Sequence, residues 1–279
     1  MVLPELDLAK GEHLYLLLDG AQIPELERQL FDMTDKPAYQ PLYLYAPWDG
    51  LREVSPCLVE ANSQLLTWFQ AQPTNAGWLL ASPLPLLPLA DRLRQLIEVE
   101  SPYGSRILLK LAAPETMACL MVDPEPWLWQ GVAQVWLPTR DGWQHWLAKA
   151  DLATPLGEKC KLTDPQWVRL GEVSWQNQLE STYRHMEQWF PARLAEQSDS
   201  GAWIAHWAKQ AYQLGFQTER DVLLFFNVLG FLGESWWKGD AYPVVTKLLT
   251  TASAQTPSQR VEQAANWAEL HVNAQERSS

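Results

Sequence analysis

The spacing of apolar residues changes character once along this chain, near residue 150. That change restricts the fold more than any other feature. Before it, short apolar runs closed by turn residues alternate with amphipathic stretches. After it, every periodic stretch has helical spacing. His13-Leu-Tyr-Leu-Leu-Leu18 is a continuous apolar run ended by Asp19-Gly20, which suits a buried strand. Pro41–Tyr45, Cys57–Val59, Gly77–Ala81 and Arg106–Leu111 read as further strands, and Val132–Leu137 reads as the last. Between them, Ile23–Met33, a stretch capped by Ser63 and running to Gln70, Pro85–Ile97 and Pro114–Met121 have helical spacing. Alternation of this kind implies an α/β lobe with a mixed or mostly parallel sheet and flanking helices.

Residues 151–161 form a polar connector containing proline and glycine. Beyond it, Thr163 or Asp164 can cap a helix with Pro165 in its first turn. Trp175, Leu179, Tyr183, Met186 and Phe190 fall on one face of that helix, and Pro191 ends it. Trp203, Trp207 and Ala211 share a face of the next. Thr218 with Asp221 resembles a capping box and opens Val222–Leu229, apolar nearly all round and therefore the buried centre of this half. Helices over Pro243–Thr250 and Ser258–Val272 complete an all-α lobe. The expected domains are residues 1–155 (α/β) and 156–279 (helical), which suits a length of 279 residues.

With 47% hydrophobic and 19% charged residues, the chain can bury a core. A net charge of −12 argues against nucleic acid, whose binding rests on Lys and Arg. Cys57, Cys119 and Cys160 are widely spaced, with no CxxC pair, so neither a zinc ribbon nor a disulfide framework is expected. The N-terminus lacks the basic start and apolar core of a signal peptide, and no segment is long and apolar enough for membrane insertion. A soluble chain with reduced cysteines follows.

Catalytic signatures are absent. The five histidines are scattered, with no HExxH spacing, and there is no GxSxG elbow, P-loop or GxGxxG. No metal or cofactor is expected. Asp19 closes the first strand where α/β enzymes place acids. A turn carboxylate bonding its own backbone beside Gly20 is the simpler reading. His206, between Trp203 and Trp207, reads as a packed or surface histidine.

Sixteen tryptophans are a large excess. Trp175, Trp203 and Trp207 fall on inward helical faces. Trp127 with Trp129, Trp143 with Trp146, and Trp236 with Trp237 lie in turn-rich or boundary segments. Adjacent residues 236 and 237 cannot both enter one helical face, so at least one is exposed or packs between lobes. Packing between lobes and binding of a partner both account for these pairs, since tryptophan offers large apolar area at low entropic cost. The six paired tryptophans are the candidate partner-binding residues.

Several segments, in order, are similar to one family. They are Leu14-Tyr-Leu-Leu-Leu-Asp-Gly-Ala21, Pro41-Leu-Tyr-Leu-Tyr-Ala46, Ser55-Pro-Cys-Leu-Val59, Gly77-Trp-Leu-Leu-Ala-Ser-Pro83, Leu89-Ala-Asp-Arg-Leu-Arg94 and Ile107-Leu-Leu-Lys-Leu111. In the helical half, Leu162-Thr-Asp-Pro-Gln-Trp167, Trp189-Phe-Pro191, Ala211-Tyr-Gln-Leu-Gly215 and Glu219-Arg-Asp-Val222 continue the likeness. The chain resembles the type VI secretion effector chaperones, called Tap or TEC adaptors. One departure is plain: where the family pattern has an Arg-rich strand ending in Asp-Pro, this chain has Lys110 and Ala113-Pro114. The resemblance implies a non-enzymatic cytoplasmic adaptor without cofactors. Such a protein binds a toxic effector, through a region near the effector's N-terminus, and loads it onto the VgrG spike. Two other classes remain open on the residues alone: a hydrolase using Asp19 or Asp49, and a carbohydrate-binding module using exposed tryptophan pairs.

Overall fold

A computed structural model describes residues 1–149, 160–237 and 241–276. In chain order the first part carries β1 (His13–Asp19), α1 (Leu26–Met33), β2 (Tyr39–Pro41), β3 (Pro56–Glu60), α2 (Ser63–Gln70), β4 (Gly77–Ser82), α3 (Leu86–Arg94), β5 (Glu98–Glu100), β6 (Arg106–Leu108), α4 (Pro114–Met121), β7 (Gln134–Thr139) and β8 (Gly142–Leu147). Six strands form one sheet in the order β2-β3-β1-β4-β7-β8, and β5 pairs with β6 separately. Both β3 and β4 run antiparallel to β1, so they are parallel to each other across it, and α2 joins them as a split β-α-β unit.

The continuous apolar run of β1 follows from burial on both faces. Tyr15 and Leu17 join Leu58, Trp78, Leu80, Val135 and Leu137 in a core shared with α3 and α4. Leu16 and Leu18 join Cys57, Val59, Leu79, Ala81 and Trp136 in a second core under α1 and α2. The indole of Trp78 donates to Leu111 O at 2.9 Å, which satisfies the only polar atom of a buried side chain. Gly77 adopts φ 151°, and a Cβ there would run into the Leu17 carbonyl, so only glycine lets β4 start this close to β1.

The expected α/β lobe followed by a helical one is present. Strand direction is the point of difference, because every strand pair here is antiparallel. Apolar periodicity records which faces are buried, and a strand covered on both faces reads the same whichever way its neighbours run. The second expected strand stops at Pro41, because Tyr43 N donates to Ser55 Oγ instead of a neighbouring backbone. The α2 cap is Asn62, whose side chain accepts from Leu65 N, rather than Ser63. The strand expected over Arg106–Leu111 ends at Leu108. The sheet does not end at β7. Strand β8 follows it across the two-residue turn Arg140-Asp141, and Gly142, at φ 110°, already pairs with Thr139 as the first residue of β8.

Compact units comprise Met1–Val173 and Ser174–Ser279, the division falling within α5 (Asp164–Trp189). The connector expected at 151–161, and with it the 155/156 division, lies outside the described residues except for Cys160 and Lys161. Thr163 and Gln166 cap α5 reciprocally: Gln166 N donates to Thr163 Oγ1 at 3.3 Å and Thr163 N to Gln166 Oε1 at 3.0 Å. Next come α6 (Pro191–Ala195), α7 (Ser200–Gln213), α8 (Glu219–Leu232), α9 (Pro243–Thr250) and α10 (Pro257–Glu276). Val222, Phe225, Phe226, Val228 and Leu229 make α8 the buried centre. Trp203 and Trp207 of α7 and the small stripe Val261, Ala264, Ala265 and Ala268 of α10 share its core. Among the described residues, no helix is long and apolar enough to cross a membrane.

Candidate partner-binding surfaces

The six paired tryptophans divide by burial. Trp127 and Trp129 lie in a buried 3-10 turn, where the Trp127 indole donates to Lys161 O at 3.2 Å. Trp236 is fully buried, while Trp237 beside it is 42% exposed. Trp143 and Trp146 are half-buried on β8. Of the six candidates, Trp143, Trp146 and Trp237 therefore keep surface that a partner could reach, while Trp127, Trp129 and Trp236 are buried in the core of this chain. The chain reversals around them bury large rings as readily as regular helices do, so turn-rich sequence is no sign of exposure. Trp189, at the end of α5, is 64% exposed, although in the sequence it has no second tryptophan nearby to mark it and stands beside the helix-ending Phe190-Pro191.

In the helical unit, Trp237 is held by rings. Its centroid lies 5.2 Å from that of Trp236 and 5.7 Å from that of Trp207, both edge-on. Glu234 accepts from the Trp203 indole at 2.8 Å and from the Trp207 indole at 3.3 Å. The Trp237 N–H closes a turn onto Glu234 O at 3.1 Å. A rigid aromatic base thus presents one indole to solvent, at little entropic cost on binding.

In the α/β unit, β8 is an edge strand whose other side pairs with no strand among the described residues. Ala148 N donates to Ala133 O at 2.8 Å, which sets the hydrogen-bonding phase of the β7–β8 pair. By that phase Gly142, Gln144 and Trp146 bond inward, and Trp143, His145 and Leu147 turn their N–H and C=O groups outward. Trp143 packs toward one core and donates to Val2 O at 2.8 Å; Trp146 packs toward the other. The His145 ring stacks on Trp136 at 4.7 Å. Gln134 Nε2 donates to the Glu12 carboxylate at 2.7 Å and to Asp7 O at 3.1 Å. Its amide oxygen therefore accepts from His145 Nε2 at 3.0 Å, and the N-terminal segment is tied to this end of the sheet.

Asp19 takes the turn role. Ala21 N donates to its Oδ1 at 2.9 Å. Burial pushes its carboxyl upward, while hydrogen bonds from Ala21 and Gln22 and the charge of Lys110 pull it down. Asp49 opens a 3-10 turn. Burial pushes the Cys57 thiol up to about 12 and the Cys119 thiol up to about 11. Among the described residues no group of three or more His, Cys, Asp or Glu side chains converges as a metal site would require.

Residues 14–131 match the model of the domain of unknown function DUF4123. The match spans β1 to the turn before β7. The chain is also 45% identical over 276 residues to accessory protein VasW of Vibrio cholerae serotype O1 (strain ATCC 39315 / El Tor Inaba N16961), covering 97% of this chain and 92% of that protein. The chain belongs to the DUF4123 family. This is the Tap/TEC chaperone-adaptor family that the ordered motifs resemble, and the likeness to VasW extends through the helical unit as well. No solved structure matches it.

Proposed function

We propose that this protein is a non-enzymatic adaptor of type VI secretion, which binds an effector in the cytoplasm and loads it onto the VgrG spike. The observation that carries the reading is the 45% identity to an accessory protein over nearly the whole of both chains, within the adaptor family. A shared accessory role then extends to both units rather than to one grafted domain. The geometry supports holding rather than chemistry. Trp237 is a rigid exposed anchor, β8 offers an edge that no strand among the described residues pairs with, and Asp19, the acid a hydrolase would use, is spent on closing a turn. The net charge of −12 favours partners with basic segments through electrostatic steering. Trp143, Trp146 and Trp237 are the contact residues proposed from the original six. Co-expression with the spike and effector candidates encoded beside this gene tests the reading. The full chain should co-purify with both, and complexes with neither would sink it. Asp19→Asn should leave capture intact.

A further inference from the structure

The two edges of the main sheet are unequal. Strand β2 is three residues long and ends in proline, a common way of blunting an edge. Strand β8 is six residues long, Gly-Trp-Gln-His-Trp-Leu, with no proline and no charged residue. Its Leu147 is 62% exposed. An edge of this length without such protection is a ready template for pairing with another strand.

From this we infer that the outer edge of β8 receives an extended, basic segment of the partner protein as an added strand, bonded through the backbone of Trp143, His145 and Leu147. The inference rests on the adaptor reading and says where that partner binds. The spacing of the outward groups demands an extended occupant, because only every second residue offers its N–H and C=O. Trp143, His145 and Leu147 share one face, so alternate side chains of the added strand would meet two apolar residues flanking an imidazole.

Charge selects the occupant. The Glu12 carboxylate is fastened to Gln134, which lies opposite Leu147, and Asp141 stands at the other end of β8. Of the basic residues nearby, Arg140 is already paired with Glu115 at 3.7 Å, and Lys149 follows the strand. A second copy of this chain would bring two net charges of −12 together, so a basic partner segment is the better fit.

The test uses the full chain co-expressed with the polypeptides encoded beside it. Leu147→Pro removes one outward N–H and keeps the ladder to β7, because residue 147 does not bond inward and proline is tolerated on edges. Leu147→Ala is the control for the side chain. Capture by Leu147→Pro should fall about tenfold, the loss expected for one strand hydrogen bond and its displaced neighbours, while Leu147→Ala, which keeps the N–H and gives up only side-chain contact, should fall about two- to threefold. In the wild-type complex, the amides of Trp143, His145 and Leu147 should gain hydrogen-exchange protection, a readout that holds even if the proline variant folds poorly. Unchanged capture by Leu147→Pro, or no gain in protection, overturns the edge site and leaves the adaptor reading standing. Equal losses in both variants mean side-chain docking rather than strand addition and also overturn it. So does a wild-type dimer that Leu147→Pro dissociates. If the wild type captures no partner, the adaptor reading is what fails. A synthetic peptide of alternating lysine and valine then decides the edge, with protection of the same three amides supporting it and its absence refuting it.

Discussion

Adjacent Trp236 and Trp237 should behave oppositely when each is changed to alanine. Trp236 is fully buried, with ring centroids 5.5 Å from Phe225 and 6.0 Å from Trp207. Truncating it removes a whole indole from the centre of the helical core and leaves a cavity walled by rings on α7 and α8, which cannot collapse without moving both helices. The expected cost is about 3–5 kcal/mol, the usual range for Trp→Ala in a core. That is a large part of the stability of an ordinary domain, about 5–15 kcal/mol. One feature offsets part of it: the Trp236 indole N–H is buried with no partner among the described residues, and deleting it relieves that penalty. Trp237 keeps 42% of its surface in water, and neighbouring side chains can close over its site. Its loss should cost about 1–2 kcal/mol, in proportion to the apolar area it buries. Urea unfolding followed by circular dichroism separates the two, since sixteen tryptophans make fluorescence hard to assign. Capture of the co-expressed partner supplies the second readout. Trp237→Ala should fold and bind its partner less well, whereas Trp236→Ala should shift the unfolding midpoint far more. Equal midpoint shifts, or a Trp236→Ala protein that is fully stable and merely loses its partner, would refute the division into core and contact residue.

Three further outcomes follow from side chains placed with equal clarity. Arg260 is buried, donates to Leu248 O and Thr251 O at 3.1 Å each, and lies over the Phe216 ring, so it closes the C-terminal end of α9. Arg260→Ala should cost about 2–3 kcal/mol, measured by thermal and urea unfolding, and a variant as stable as wild type would show that the carbonyls are solvated without it. Bonds from Arg52 at 3.0 Å, opposed by burial and helped by the Tyr39 hydroxyl at 2.9 Å, hold the Glu27 carboxyl below the ordinary glutamate range. A depressed carboxyl stabilises the fold above its unfolded pKa and loses that contribution as pH falls through its folded one. The stability gap between wild type and Glu27→Gln should therefore narrow in acid, modestly because the pair is partly exposed; a gap that is constant with pH would contradict the assignment. Cys57 and Cys119, with thiols pushed up to about 12 and about 11, should react with thiol reagents at neutral pH much more slowly in the native chain than in urea. Rapid native labelling of both would show that the chain opens at these sites.

The switch from alternating elements to pure helix, the ends of α4, the inward face of α7 and the buried centre at α8 were all legible, because local spacing alone determines which residues share a face. The ordered motifs pointed to the family for the same reason: they are the residues that fill the sheet. Strand direction was not legible, since it depends on which strands meet after long connections. Nor was β8, where Trp143 and Trp146 pack toward opposite cores and leave no polar face to mark a period of two.

For the tryptophans the sequence by itself determined only that 236 and 237 cannot share a helical face, which is a matter of local geometry. Which of them is buried, and that Trp127 and Trp129 are buried as well, was decided by elements far apart in the chain closing around them. The outer edge of β8, which pairs with no strand among the described residues, has the same origin. Hydrogen-bonding capacity belongs to every residue, and only the assembled sheet decides which of it is left unused.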